Sequence, residues 1–219
     1  MEIIYLDNHL LAAEKPGGLL TQPSGTAADS LEAQAKNFLK QKFAKPGAVF
    51  LEAVHRLDKP VSGMVLFART SKALSRLNQS SREGKFSKIY RARVEGRMPA
   101  AAAVLEDWLV HDDFQARVVS PDMAGAKLCR LKYTLLTEDN NSSVLEIALE
   151  TGRYHQIRAQ LAHLGNPILG DGRYGARQLW SPNTIALQHY CLTFRHPISQ
   201  EEICLRAKDD AIVHCTHCP

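Results

Sequence analysis

The sequence predicts an α+β fold: a mixed, mostly antiparallel sheet flanked by helices. Three observations lead there. Eleven short segments have the apolar patterning of strands, only three stretches have helical periodicity, and most consecutive strands are joined by short polar turns. No internal repeat or low-complexity linker interrupts the pattern, so one domain over residues 1–208 with a short tail over 209–219 is expected.

Ile3–Leu6 and Leu10–Ala13 read as two strands closed by the turn Lys15-Pro16-Gly17-Gly18. Asp29 and Glu32 have capping-box spacing and introduce Leu31, Ala35, Phe38, Leu39 and Phe43 at helical intervals, up to Lys45-Pro46-Gly47. Phe50–Val54 and Met64–Ala68 are strand-like and bracket a polar loop. Ser71 to Arg82 predicts a helix with Ala73, Leu74 and Leu77 inward, broken at Gly84. The strand from Phe86 to Glu95 puts Ile89, Arg91, Arg93 and Glu95 on one face and Tyr90, Ala92 and Val94 on the other. Strands follow at Val104–Val110, Ala116–Ser120, Lys127–Thr137 and Val144–Leu149. A helix from Arg153 to about Leu164 precedes the closing strands Ile185–Phe194 and Glu202–Arg206.

With 219 residues, 45% of them apolar and 23% charged, the chain has the balance of a globular protein with a full core. The start, M-E-I-I-Y-L-D-N, has no basic n-region, and no apolar run reaches bilayer length, so neither a signal peptide nor a membrane span is expected. Five unevenly spaced cysteines without an export signal read as reduced thiols in a cytoplasmic protein. Charge is unevenly placed. From Arg69 to Arg97 nine basic residues face only Glu83 and Glu95, a local +7 in a chain of net +4. Such a block is the footprint of a polyanion binder.

Two stretches carry chemistry. In V-H-R-L-D-K-P-V-S-G-M-V-L-F-A-R-T (Val54–Thr70) one carboxylate, Asp58, stands in a turn of His, Arg, Lys, Pro and Gly before an apolar strand. Cationic neighbours favour its charged form, which suits a nucleophile better than a surface counter-ion in a solvated turn. In Thr151–Leu161 the apolar Ile157, Leu161 and Leu164 share a helix face, and His155 and Arg158, three apart, lie on its flank. An Arg at the edge of a buried face calls for an anionic partner, and Asp58 is a candidate.

Together these stretches resemble the RluA-type pseudouridine synthases. His55-Arg56-Leu57-Asp58 with Ser62-Gly63 is similar to the catalytic H-R-L-D-x-x-T-S-G. Lys15-Pro16-Gly17-Gly18 resembles the N-terminal K-P-x-G, and Phe86–Tyr90 the strand that carries the family's Tyr. Thr151–Arg158 resembles T-G-R-x-H-Q-I/L-R, Gly165–Asp171 resembles G-x-P-I-x-G-D, and Arg195-His196-Pro197 the closing H-P element. The motifs occur in family order over nearly the whole chain.

The resemblance implies a pseudouridine-synthase-type catalytic domain with a central RNA-binding cleft, acting as a monomer on tRNA or ribosomal RNA without cofactor or metal. It implies Asp58 as the essential carboxylate, Tyr90 against the uracil ring and Arg158 paired with Asp58. Arg56 would fill the space of a flipped base, and His55, Lys15 and His155 would contribute to substrate binding. Arg82, Lys85, Lys88 and Arg91 are then candidates for the RNA backbone. Val61 stands where the family usually has Thr, and Gln188 where it often has His. With strand-like residues from Ile3 onward, a separate S4-type RNA-binding domain ahead of them is not expected. The rival readings are a non-catalytic RNA binder on the same scaffold and a metal-dependent hydrolase; scattered histidines speak against the latter. His214-Cys215-Thr216-His217-Cys218 is read as a tail rather than a metal site.

Overall fold

The computed structural model describes residues 1–25, 29–207 and 212–213. The expected tail, with its His and Cys residues, therefore lies almost wholly outside the described residues. In chain order the elements are β1 (Glu2–Leu6), β2 (Leu10–Lys15), α1 (Leu31–Lys42), β3 (Glu52–Ala53), β4 (Ser62–Ala68), α2 (Ser71–Arg82), β5 (Ser87–Glu95) and β6 (Ala102–Asp112). They continue with β7 (Gln115–Val119), β8 (Lys127–Glu138), β9 (Ser142–Leu149), α3 (Gln156–His163), a 3₁₀ turn (Gly172–Tyr174), β10 (Leu187–Arg195) and β11 (Glu202–Arg206). Two compact units result, one of Met1–Phe86 with His189–Lys208, the other including Ser87–Gln188.

In the first unit the strands run in the order β1-β2-β4-β10, with β3 on β4 and β11 on β10. β4 is buried from Gly63 to Ala68, as its unbroken apolar run requires. Leu10, Ala12, Met64, Leu66 and Ala68 alternate onto one face and pack with Ala73 and Leu77 of α2 and with Leu192, Phe194 and Leu205. α2 starts where expected because the Thr70 hydroxyl accepts the Ala73 N–H. The cap of α1 differs from expectation: Ser30, not Asp29, accepts the Ala33 N–H, while Asp29 accepts from the Gln34 side chain. Phe43 stays exposed beyond the helix end.

The second unit orders its strands β5-β9-β8-β6-β7, all pairs antiparallel. The burial of β5 alternates as predicted, with Tyr90, Ala92 and Val94 inward. α3 lies against β6 and β7 and adds Ala159 to a core of Leu109, Ala116 and Cys129. It begins at Gln156, three residues later than expected. Thr151–His155 forms a loop, because His155 takes a left-handed backbone (φ 52°) that ends helical continuity. The 3₁₀ turn after Asp171 has no counterpart in the sequence reading.

Gly63 shows how tightly the first unit is assembled. Its φ is 111°, and a Cβ there would lie 2.4 Å from the His189 carbonyl oxygen and 2.5 Å from the His189 nitrogen. β4 and β10 can approach this closely only without a side chain. Gly63→Ala is expected to cost more than about 3 kcal/mol or to prevent folding. Gly47→Ala, which meets nothing within 4 Å, should be near neutral in the same denaturant titration.

Candidate active site

Asp58 projects from the loop between β3 and β4, half-buried, with Arg56 exposed beside it. The loop is braced on both sides of the carboxylate. Before it, the buried Thr21 hydroxyl accepts the Leu57 N–H at 3.1 Å and donates to the Leu57 carbonyl at 2.9 Å. After it, the Asp58 carbonyl accepts the Val61 N–H at 3.0 Å, and the Lys59 carbonyl accepts from Gly18 N–H at 2.8 Å. Val61, in place of a Thr, is buried and serves the loop as an apolar plug.

Lys15 ties this loop to the K-P-G-G turn. Its ammonium is 0% exposed and donates to the carbonyls of Pro16 (3.0 Å), Leu19 (2.7 Å) and Lys59 (3.1 Å), one for each proton. Burial lowers its pKa to about 8, and the negative charge of Asp58 works against that fall. Lys15 is therefore a brace and a charged neighbour of Asp58. His55 also serves the scaffold: its Nε2 accepts the Leu66 N–H at 3.2 Å, and its ring meets His189 edge-on at 5.0 Å. His189 in turn donates through Nδ1 to the Met64 carbonyl.

In the second unit Arg158 is 4% exposed and held on three of its N–H bonds. Nε and Nη2 donate to the two oxygens of Asp171 at 2.7 and 2.8 Å, and Nη1 donates to His155 Nε2 at 2.8 Å. The guanidinium also lies 4.9 Å from the centre of the Tyr174 ring. Because a guanidinium can only donate, His155 Nε2 must be bare, so its proton is on Nδ1 and is donated to the Tyr174 hydroxyl at 2.8 Å. The Tyr174 oxygen also accepts the Ala116 N–H. Burial, reinforced by Arg158 and Arg173, lowers the His155 pKa to about 3 and keeps the ring neutral. His155, expected to bind substrate, thus acts within this unit as a neutral acceptor that orients Arg158.

The sequence called for an acid beside Arg158, with Asp58 as the candidate; within the second unit Asp171, the last residue of the G-N-P-I-L-G-D motif and given no role from sequence, pairs with it. Tyr174 and Thr21 were missed as well. Neither stands in a pattern that announces it, because each acts through contacts distant in sequence. Tyr90 is buried on β5 opposite Ile147 of β9.

The four basic candidates differ in unit and in exposure. Arg82 and Lys85 belong to the first unit and are exposed, with Lys85 paired to Glu83 at 2.5 Å. Arg91 belongs to the second unit, is largely covered and lies 3.5 Å from Glu146. Lys88 is half-buried with its Nζ near Gly152, and burial lowers its pKa.

Comparison with known proteins adds a consistent picture. A family profile described as RNA pseudouridylate synthase matches residues 9–163. The chain is 33% identical over 213 residues to the dual-specificity RNA pseudouridine synthase RluA of Haemophilus influenzae, covering 96% of this chain and 94% of that protein. It is 30% identical to ribosomal large subunit pseudouridine synthase C of Vibrio cholerae, over 95% of this chain and 66% of that one. The fold is similar to that of human RNA pseudouridylate synthase domain containing 4, with a TM-score of 0.81, 22% identity, and coverage of 99% and 92% of the two chains.

The neutral state of His155 has a consequence for acid stability. Its pKa falls from 6.5 to about 3 on folding, so between those values the unfolded chain holds a proton that the folded chain refuses. This group leaves stability unchanged above about pH 6.5 and removes about 1.4 kcal/mol per pH unit as the pH falls toward 3. His155→Asn, which tolerates the left-handed backbone, should flatten that slope in urea titrations between pH 7 and 4. Equal slopes in both proteins would contradict the assignment.

Proposed function

The chain belongs to the RNA pseudouridylate synthase family and is an RNA pseudouridine synthase; on that premise we propose how its residues divide the reaction. The isomerisation breaks the bond from C1′ to N1 of a uridine and joins C1′ to C5 of the same base. N1 gains a proton and C5 loses one, with no net oxidation. A carboxylate at the sugar, a group against the detached uracil and a means of holding the carboxylate ionised meet those needs.

In this proposal Asp58 is the carboxylate. Arg158, by its place in the T-G-R-x-H-Q-I/L-R motif, is its cationic partner. Tyr90 lies against the uracil and takes part in the C5 proton transfer. Arg56 enters the space left by the flipped nucleotide. Arg82 and Lys85 contact RNA phosphates, and His55 and Lys15 act by shaping the Asp58 loop. The enzyme works in the cytoplasm as a monomer on a uridine in tRNA or ribosomal RNA. A relative of nearly equal length named for dual specificity supports more than one RNA target, and one named for the ribosomal large subunit supports ribosomal RNA as a candidate.

The observation that carries the proposal is the bracing of Asp58. A half-buried carboxylate beside a buried ammonium, on a loop pinned by Thr21 and Lys15, is a pre-positioned reactive group rather than a solvated turn residue. Asp58→Asn is expected to keep the fold and RNA affinity and to abolish pseudouridine formation. Mapping pseudouridines in total RNA from cells with the gene, without it, and with Asp58→Asn identifies the target in the same experiment. Sites restored by the Asn variant would remove Asp58 from the chemistry.

The RNA interface is tested separately. Arg82→Glu with Lys85→Glu should weaken binding and reduce the slope of log affinity against log salt by roughly 0.7 to 0.9 for each phosphate that is no longer neutralised. An unchanged slope would take α2 out of the interface.

A further inference from the structure

β10 and β11 carry none of the residues assigned to the reaction, yet they set two thiols against each other. In their register Cys191 stands opposite Arg206 and Cys204 opposite Thr193. The two cysteines are therefore diagonal neighbours on one face of the sheet, both within the first unit. Their Sγ atoms are 3.6 Å apart, with Cys191 buried and Cys204 exposed. A disulfide has an S–S bond of about 2.04 Å, so the sulfurs need to close by only about 1.6 Å.

The two thiols differ in a way that suits successive roles. The Thr193 hydroxyl bonds to the Cys204 sulfur and, with Cys191 and Arg206, lowers its pKa. Cys204 is thus the exposed, thiolate-prone member, which an oxidant in solvent can reach. Burial raises the Cys191 pKa. Cys191 needs no access of its own, because its neighbour's sulfur is already in contact with it. Cys129 shows the contrast: it is 0% exposed, and burial pushes its pKa up to about 11. Its register partner on β6 is Asp107, so it is a core thiol without a sulfur opposite it.

We propose that Cys191 and Cys204 are a reversible dithiol–disulfide pair: a hydroperoxide oxidises Cys204, and Cys191 closes the bond that joins β10 to β11. The Cys204 thiolate attacks one oxygen of hydrogen peroxide, the O–O bond breaks, and the departing hydroxide takes up a proton and leaves as water. The Cys191 sulfur then attacks the sulfenic sulfur of Cys204. The S–O bond breaks, and the hydroxyl leaves as a second water with the proton of Cys191. In sum two thiols and one peroxide give one disulfide and two waters, and the two electrons lost by the thiols reduce the peroxide. A small dithiol or glutathione reverses the step by thiol–disulfide exchange.

The test treats the full chain, reduced and freed of small thiols, with hydrogen peroxide, then alkylates it and digests it with trypsin. The expected main product joins peptide 178–195, which holds Cys191, to peptide 196–206, which holds Cys204. It should be about two daltons lighter than the two reduced peptides together, and dithiothreitol should restore both thiols. Cys204→Ser should protect the Cys191 thiol from peroxide, and Cys129→Ser should leave the linked product unchanged. Cys191→Ser should leave Cys204 as a sulfenic acid that dimedone traps several-fold more than in the wild type. Circular dichroism checks that each variant is folded, and the wild-type peptide map decides the case by itself if the buried Cys191→Ser does not fold. A main product that joins Cys204 to Cys215 or Cys218 would overturn the proposal, as would sulfinic acid accumulating at Cys204 in the wild type. So would Cys191 and Cys204 thiols that survive peroxide as long as the buried thiol of Cys129.

Discussion

The second unit depends on the buried pair between Arg158 and Asp171. Two parallel N–H···O bonds at 2.7 and 2.8 Å, with side chains 5% and 2% exposed, fix the guanidinium plane. A pair of this kind adds little stability over apolar packing, yet losing one partner typically costs about 3–5 kcal/mol, because it strands a charge out of water. Its value is therefore orientation. His155 completes the clamp from the third side, and it can do so only while neutral. The left-handed backbone at His155, an unfavoured conformation for a residue with a side chain, is offset by the contacts its ring makes with Arg158, Tyr174 and Tyr154.

The first unit applies the same logic to a carboxylate. Asp58 is positioned by its neighbours' backbone: Thr21 holds Leu57, and Lys15 and Gly18 hold Lys59. Burying an ammonium is costly, and three carbonyl acceptors with a nearby negative charge reduce that cost. The result is a short loop whose carboxylate is held in place by hydrogen bonds to the backbone on either side of it.

Local elements were legible because local chemistry sets them. The bounds of α2 follow from the Thr70 cap and the Gly84 break, and the alternation of β5 places Tyr90 inward without any tertiary information. Where two capping residues stood side by side, Asp29 and Ser30, propensity could not choose between them. The start of α3 was misplaced because nothing in T-G-R-Y-H announces a positive φ at a histidine. The candidate residues Asp58 and Arg158 were visible through their motifs. Asp171, Thr21 and Gly63 act across the fold, on Arg158, Leu57 and His189, and such contacts leave no periodic trace. The need for an acid beside Arg158 was readable; that Asp171 answers it within the second unit was not.

If Arg158 acts in the proposed reaction, Asp171, which holds its guanidinium, should support that reaction through it. A double-mutant cycle in single-turnover pseudouridine formation tests it most directly, using Asp171→Asn, Arg158→Lys and the double variant on folded protein at saturating enzyme. The account predicts that each single variant slows the chemical step while RNA affinity is kept, and that the double variant is no slower than the worse single one. Losses that add in the double variant, or an Asp171→Asn enzyme with the wild-type rate, would contradict it.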